Sequence, residues 1–178
     1  MRVIAGRFRS RKLRSVPGLA VRPTPDRLRE SLFSILAPRI EGAAFVDAYA
    51  GSGAVGIEAL SRGAKQVFLI ERNAQALATI RENLDSLQIT SEVTVLRGSA
   101  SALLAENRAD IVFLDPPYDK VNEYLAALQV LSQVGCPYVI AQHTSRLTLD
   151  DAYGKLTKTR VIKQGDNSLS FFEPSSMV

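Results

Sequence analysis

The residues in this chain best suited to chemistry are Asp115, Pro116, Pro117 and Tyr118. They follow Ile111-Val112-Phe113-Leu114, a short β-branched and aromatic run that reads as a buried parallel strand. Two prolines end the strand because proline has no N–H to give to a ladder. Ligands of open α/β sheets bind just beyond the carboxyl ends of strands. There Asp115 offers carboxylate oxygens, the Pro116 carbonyl offers an acceptor on a stiff backbone, and Tyr118 offers a stacking face. Two adjacent acceptors beside an aromatic ring suit the NH2 group of a planar base. The competing reading is a turn in which a buried Asp115 caps the next helix.

A second cluster precedes it. Gly51-Ser52-Gly53-Ala54-Val55-Gly56 fits G-x-G-x-x-G between a strand and a helix, and Glu71 falls 20 residues after Gly51, at the end of the next strand. That fingerprint suits a dinucleotide, but its physical content is general: backbone open to a ligand, and a carboxylate for ribose hydroxyls. Asp47 and Asp115 flank the loop and would repel a pyrophosphate, whereas S-adenosylmethionine brings an ammonium and a sulfonium. Its carboxylate can use the N–H groups at the start of the helix from Ala54. The loop therefore reads as a site for S-adenosylmethionine rather than NAD, and Ser99 after the third strand is placed to reach an adenine.

These clusters need a frame that alternates strands and helices. Strands are expected over Ala44–Ala50, Val67–Glu71, Val93–Arg97, Ile111–Leu114 and Tyr138–Gln142, with helices over Ala54–Arg62, Asn73–Leu87, 100–106 and 122–134. That order means βαβ units and a parallel sheet. Lys155–Lys163 and Ser168–Glu173 around Gly165-Asp166-Asn167 read as a closing antiparallel hairpin. Thr24-Pro25-Asp26 opens an N-terminal helix over 24–37, with an N-cap hydroxyl, proline at the first helical position and an acid in the first turn. The 178 residues read as one domain, with an arm over 1–22 and a core over 44–174.

Charge separates the arm from the body. The chain carries +4, but residues 1–29 hold nine Lys or Arg against Asp26 alone, which leaves 30–178 net acidic. Basic residues alternate with Val3, Ile4, Phe8, Leu13 and Val16, as in an ordered arm with one packed side and one basic side. A basic arm on an otherwise acidic body is the footprint of a nucleic-acid partner; a solvated tail is the alternative. Arg7, Arg9, Arg11, Lys12, Arg22, Arg27 and Arg29 are the expected phosphate contacts. No apolar run reaches membrane-span length, nothing resembles an export signal, and a single Cys136 fits a reducing compartment, so a cytoplasmic location is expected. One Cys and one His cannot build a zinc cage, no metal is expected, and Cys136 and His143 read as packing residues. A monomer is the default expectation.

The chain resembles class I (Rossmann-like) methyltransferases, and more narrowly the RsmD family of bacterial 16S ribosomal RNA guanine-N2 methyltransferases. The resemblance runs through Arg2-Val3-Ile4-Ala5-Gly6, Arg11-Lys12-Leu13, Arg22-Pro23-Thr24-Pro25-Asp26-Arg27-Leu28-Arg29-Glu30, Phe45 to Gly53, Gly56 to Ala64, and Asp115-Pro116-Pro117-Tyr118. Two positions depart from it: Ser10 stands where members often carry glycine, and Ser99 where many methyltransferases place an acid. The resemblance implies an α/β fold with a mostly parallel seven-stranded sheet, helices on both faces, a C-terminal antiparallel hairpin and a small basic N-terminal hairpin. It implies methylation of one guanine in small-subunit RNA, on an assembled or assembling subunit, with S-adenosylhomocysteine as the other product. Asp115, Pro116 and Tyr118 are then the catalytic set. Asp47, Ala50, Gly51, Ser52, Gly53, Gly56, Glu71, Arg72, Ser99, Ala100 and Asp115 are the donor-binding set. The remaining alternatives are a DNA adenine-N6 methyltransferase, a non-catalytic S-adenosylmethionine- or RNA-binding module, and a nicotinamide oxidoreductase.

Overall fold

The computed structural model describes residues 1–18 and 25–175. Five parallel strands form its centre: β1 (Ala44–Asp47), β2 (Gln66–Glu71), β3 (Val93–Arg97), β4 (Ile111–Leu114) and β5 (Tyr138–Thr144). Antiparallel strands β6 (Ala152–Tyr153), β7 (Leu156–Gln164) and β8 (Asn167–Pro174) complete the sheet. The order across it is β3-β2-β1-β4-β5-β8-β7-β6. The Rossmann-like arrangement read from the sequence is present, with eight strands among the described residues rather than seven. The additional strand, β6, has two residues, too few for alternation to register.

Strand order reverses at β1, which pairs with β2 on one side and β4 on the other. Ligand crevices open at the carboxyl ends of strands at such a switch point. Helices α1 (Asp26–Ile40), α2 (Ala54–Ser61) and α3 (Ala74–Ser86) share one core with Phe45, Leu69 and Phe113. Helices α4 (Ala100–Leu104) and α5 (Val121–Val134) share the other with Val46, Ile70, Val112 and Leu114. Strand alternation supplies both layers, and all four residues of β4 are buried.

Most element boundaries differ from expectation by a residue or more, and three of the differences bear on the loop and the first helix. β1 stops at Asp47 instead of Ala50, because the chain turns at once into the glycine loop, where Gly53 N–H donates to the Ala50 carbonyl. α1 begins at Asp26, with Pro25 one position outside it in an extended conformation (ψ 142°) and no side-chain cap; Thr24, the expected capping hydroxyl, lies outside the described residues. α1 also runs on to Ile40, through Pro38.

The basic arm is packed against the body. Val3, Phe8 and Leu13 are buried in the core shared by α1–α3, and Arg2 pairs with Lys12 in an antiparallel bridge. Helix α2 holds it: the Glu58 carboxylate accepts from Ile4 N–H (2.8 Å), Ala5 N–H (3.0 Å) and Arg62 Nε (2.7 Å). Ser61 accepts Arg7 N–H on its carbonyl and Phe8 N–H on its hydroxyl, which in turn donates to the Ala5 carbonyl. Ser10 adopts φ +67°, the left-handed region that glycine tolerates best.

Candidate functional site

A cavity of about 420 Å³ opens where β1, β2, β3 and β4 end. Tyr49 and Gly51 come from the turn after β1, and Glu71 and Arg72 from the end of β2. Ser99 and Ala100 come from the start of α4, and Asp115, Pro116, Pro117 and Tyr118 from the segment after β4. Gly51, Glu71, Ser99 and Asp115 therefore meet in one cavity, although Asp115 lies 64 positions beyond Gly51 in the chain.

Glu71 ties together the turns after β1 and β2 in the cavity wall. Its Oε2 accepts from Gly51 N–H (2.9 Å), and Oε1 accepts from Arg72 and Asn73 N–H (2.8 Å each). A carboxylate has about four acceptor positions, so this one fixes the loop and keeps some capacity for a ligand hydroxyl. Across from it, Glu123 in the first turn of α5 accepts from the Tyr49 hydroxyl (3.0 Å) and the Arg72 guanidinium (3.2 Å). Burial and then the neighbouring Glu123 charge raise the Tyr49 hydroxyl above its ordinary range. Sequence reasoning missed Tyr49 and Glu123; only the acid's place just after Asp115-Pro116-Pro117-Tyr118 could have flagged it.

Asp47, Ala50, Ser52, Gly53 and Gly56 stand behind this wall rather than in it. Asp47 corrects the charge reading: its carboxyl is buried and turned into the loop, where it accepts from Gly56 N–H (3.1 Å). Burial raises it from 3.8 to about 7, the Gly56 N–H opposing the shift and the Glu71 charge adding to it. The folded state thus keeps a proton that the unfolded chain has lost. Stability from this group falls as pH rises from about 4 to about 7, and levels off above. Asp47→Asn is expected to remove that slope, gaining stability relative to the parent between pH 5 and pH 7 in denaturant titrations. Parallel curves would contradict it.

Gly56 has a packing role. A Cβ there would overlap the Leu69 side chain, so only glycine lets α2 lie directly on β2. Asn83 joins loop to arm: its Nδ2 donates to the Ser52 carbonyl (2.9 Å) and to the Arg14 carbonyl (3.1 Å), and its Oδ1 accepts from Arg14 N–H (2.7 Å).

Asp115 sits at the cavity wall, and its charge adds to burial in raising the Tyr124 hydroxyl. The Tyr118 ring is 42% exposed, and its hydroxyl donates to Asn167 Oδ1 (2.7 Å) on β8. A ring presented to solvent but tied at its tip is a fixed stacking surface.

The expected phosphate contacts divide. Arg9, Lys12 and Arg27 are exposed. Arg7 pairs with Glu92 (2.6 Å), and the Arg11 guanidinium donates to the Ser86 carbonyl (2.8 Å). Arg22 lies outside the described residues. Arg29 is a correction: it is fully buried, bonded to the Arg2 carbonyl (2.9 Å) and Asp26 (2.8 Å), and therefore holds the arm instead of a phosphate. Cys136 and His143 are both buried, and His143 Nε2 bonds the Ser170 hydroxyl (2.8 Å). Among the described residues no group of His, Cys, Asp or Glu is arranged to hold a metal, and no helix is long and apolar enough to cross a membrane.

The family model described as "Conserved hypothetical protein 95" matches residues 1–173. "Putative rRNA methyltransferase YlbH" of Bacillus subtilis is 34% identical over 97% of this chain and 98% of its own length. "Ribosomal RNA small subunit methyltransferase D" of Escherichia coli K12 is 42% identical over 120 residues, which are 66% of this chain and 60% of that protein. Among solved structures, "Putative methyltransferase yhhF from Escherichia coli" superposes with a TM-score of 0.84 at 31% identity over 99% of both chains. A match along nearly the whole chain, in sequence and in fold, decides its kinship: the chain belongs to the family described as Conserved hypothetical protein 95, the RsmD family.

Proposed function

We propose that this chain is an S-adenosylmethionine-dependent methyltransferase that acts on ribosomal RNA of the small subunit, at the exocyclic N2 amine of one guanine. One observation carries the reading: Asp115, Pro116 and Tyr118 line the same cavity as Gly51 and Glu71. A clamp for a base amine thus faces a site for a nucleoside-bearing donor. The names of the relatives, ribosomal RNA methyltransferases, agree with it.

The residues present fit the donor. Gly51 N–H and the Glu71 carboxylate hold the loop in the form a nucleoside needs, and Ser99 and Ala100 line the side of the cavity taken by the adenine. Glu71 and Glu123 give the donor side of the cavity the acidic lining that suits a cationic ligand. S-adenosylmethionine bound there supplies an electrophilic methyl group. The protein supplies positioning. The guanine leaves its stack and rests on Tyr118, while Asp115 and the Pro116 carbonyl accept the two N–H groups of N2. This turns the nitrogen lone pair toward the donor side of the cavity. As the N–C bond forms at the expense of the donor's sulfur–methyl bond, leaving a neutral thioether, one N2 proton departs along its hydrogen bond to Asp115 and passes on to solvent. Most of the acceleration comes from orientation and exclusion of water. The protein acts as a cytoplasmic monomer on the assembled or assembling subunit.

The test is transfer of methyl label from the donor to small ribosomal subunits, naked ribosomal RNA and duplex DNA in parallel. Label in ribosomal RNA and none in DNA is expected. Label in DNA alone, or in nothing, would overturn the reading.

A further inference from the structure

We infer that the RNA strand flanking the target nucleotide leaves the donor cavity over Tyr118 and crosses the β7–β8 turn to a basin holding Arg27 and Arg9, with Arg146 as its first phosphate contact. This rests on the function proposed above and adds a binding surface to it.

Tyr118 belongs to two hollows. It lines the donor cavity and also a second groove of about 310 Å³, walled by Ser145, Arg146, Asp166 and Asn167. Topology puts that groove on the same edge of the sheet. β4 and β5 run parallel with Leu114 opposite Ala141, so Ser145 and Arg146 follow β5 just as Asp115 follows β4. Thr144 pairs with Asn167, which brings the β7–β8 turn to that edge too. The groove's chemistry is that of a ribose-phosphate. Arg146 offers a guanidinium, Ser145 a hydroxyl, and Asp166 an acceptor suited to a ribose 2′-hydroxyl rather than a phosphate.

A separate shallow basin of about 710 Å³ contains Arg9, Arg27, Arg62 and Gln164, with Glu30 as its one carboxylate, and shares no lining residue with the groove. Two elements join the hollows. The start of α1 places Pro25 in the groove and Arg27 in the basin, and the β7–β8 turn places Asn167 in the groove and Gln164 in the basin. The cations divide in the same sense. Arg9, Arg27 and Arg146 are exposed and take part in none of the ion pairs among the described residues, whereas Arg7 and Arg14 are neutralised by Glu92 and Glu82. Arg62 is held by Glu58 and forms a wall of the basin. An aromatic platform followed by a line of available guanidinium groups is how single strands are tracked without base reading.

Arg146→Ala, Arg27→Ala and their combination are compared with Arg108→Ala, an exposed arginine three residues before β4, at the opposite edge. KM for small ribosomal subunits is expected to rise roughly tenfold in each track variant and about a hundredfold in the pair. The salt dependence of RNA affinity is expected to lose about 0.7 of slope per arginine removed. kcat, S-adenosylmethionine affinity and the Arg108→Ala values should stay at those of the parent. Parent-like KM and slope in both track variants, beside a parent protein that methylates subunits, would overturn the track and leave the function standing. An equal rise in Arg108→Ala would overturn it as well. A parent protein that methylates no ribosomal RNA would overturn track and function together.

Discussion

Replacing Asp115 by alanine is expected to lower kcat for methyl transfer by on the order of 10²–10³, while S-adenosylmethionine binding stays within a few-fold of the parent. The donor side of the cavity is built by Glu71, the Gly51 backbone and the α4 start, none of which hangs on Asp115. The amine side is built by Asp115 and its neighbours up to Tyr118. Without the carboxylate, the amine keeps the Pro116 carbonyl as its acceptor and swings out of line. Asp115→Asn sharpens the point, because its amide oxygen can still accept from the target amine without the negative charge, so it should retain more transfer than alanine. Isothermal titration of the donor beside single-turnover transfer separates binding from chemistry. Equal losses in both would mean that Asp115 holds the donor; loss in neither would mean that it holds nothing.

The second large effect is expected at Gly6. This residue sits at φ +81° against the backbone of Ser61, so a Cβ would overlap the Ser61 carbonyl that receives Arg7 N–H. Neither side yields: one is the end of a buried helix, the other a turn fixed on both flanks by Glu58 and Ser61. Gly6→Ala should release the arm, with a stability loss of about 2 kcal/mol or more, of which about 1–2 is the left-handed backbone itself. Gly42→Ala isolates that backbone part, since it has φ +72° and nothing within 4 Å of a Cβ. The arm carries Arg9 to the basin, so transfer to subunits should fall at least tenfold while the donor still binds. Protease cleavage within 7–12 should accelerate in Gly6→Ala alone. Matching behaviour of the two variants would show that steric fit at Ser61 is unimportant.

What was legible in the sequence was what short-range signals encode. β4 declared itself by four consecutive apolar residues and a double proline, and the glycine loop by its own spacing, and the structure has both segments just beyond strand ends. Alternation gave the side of the sheet on which Asp47 lies but not the direction of its carboxyl, which turned inward once Gly56 N–H offered a partner. Arg29 could have been read correctly: it is four residues before Phe33 and seven before Leu36, on the buried stripe of α1, and composition alone made it look like a phosphate contact. Partners far apart in the chain left no trace. Nothing local marks Asn83 as the bond between Ser52 and Arg14, or Glu82 and Glu92 as the acids that spend two of the arm's charges. The basic arm was therefore visible while the division of its cations was not.

The most direct test of the account is the identity of the methylated nucleoside. RNA labelled by the parent protein is digested to nucleosides and separated by chromatography, with the Asp115→Ala protein run alongside. The label is expected to run as N2-methylguanosine and to form on the order of 10²–10³ times more slowly with Asp115→Ala; label in N6-methyladenosine, or label formed at the parent's rate without Asp115, would contradict the clamp.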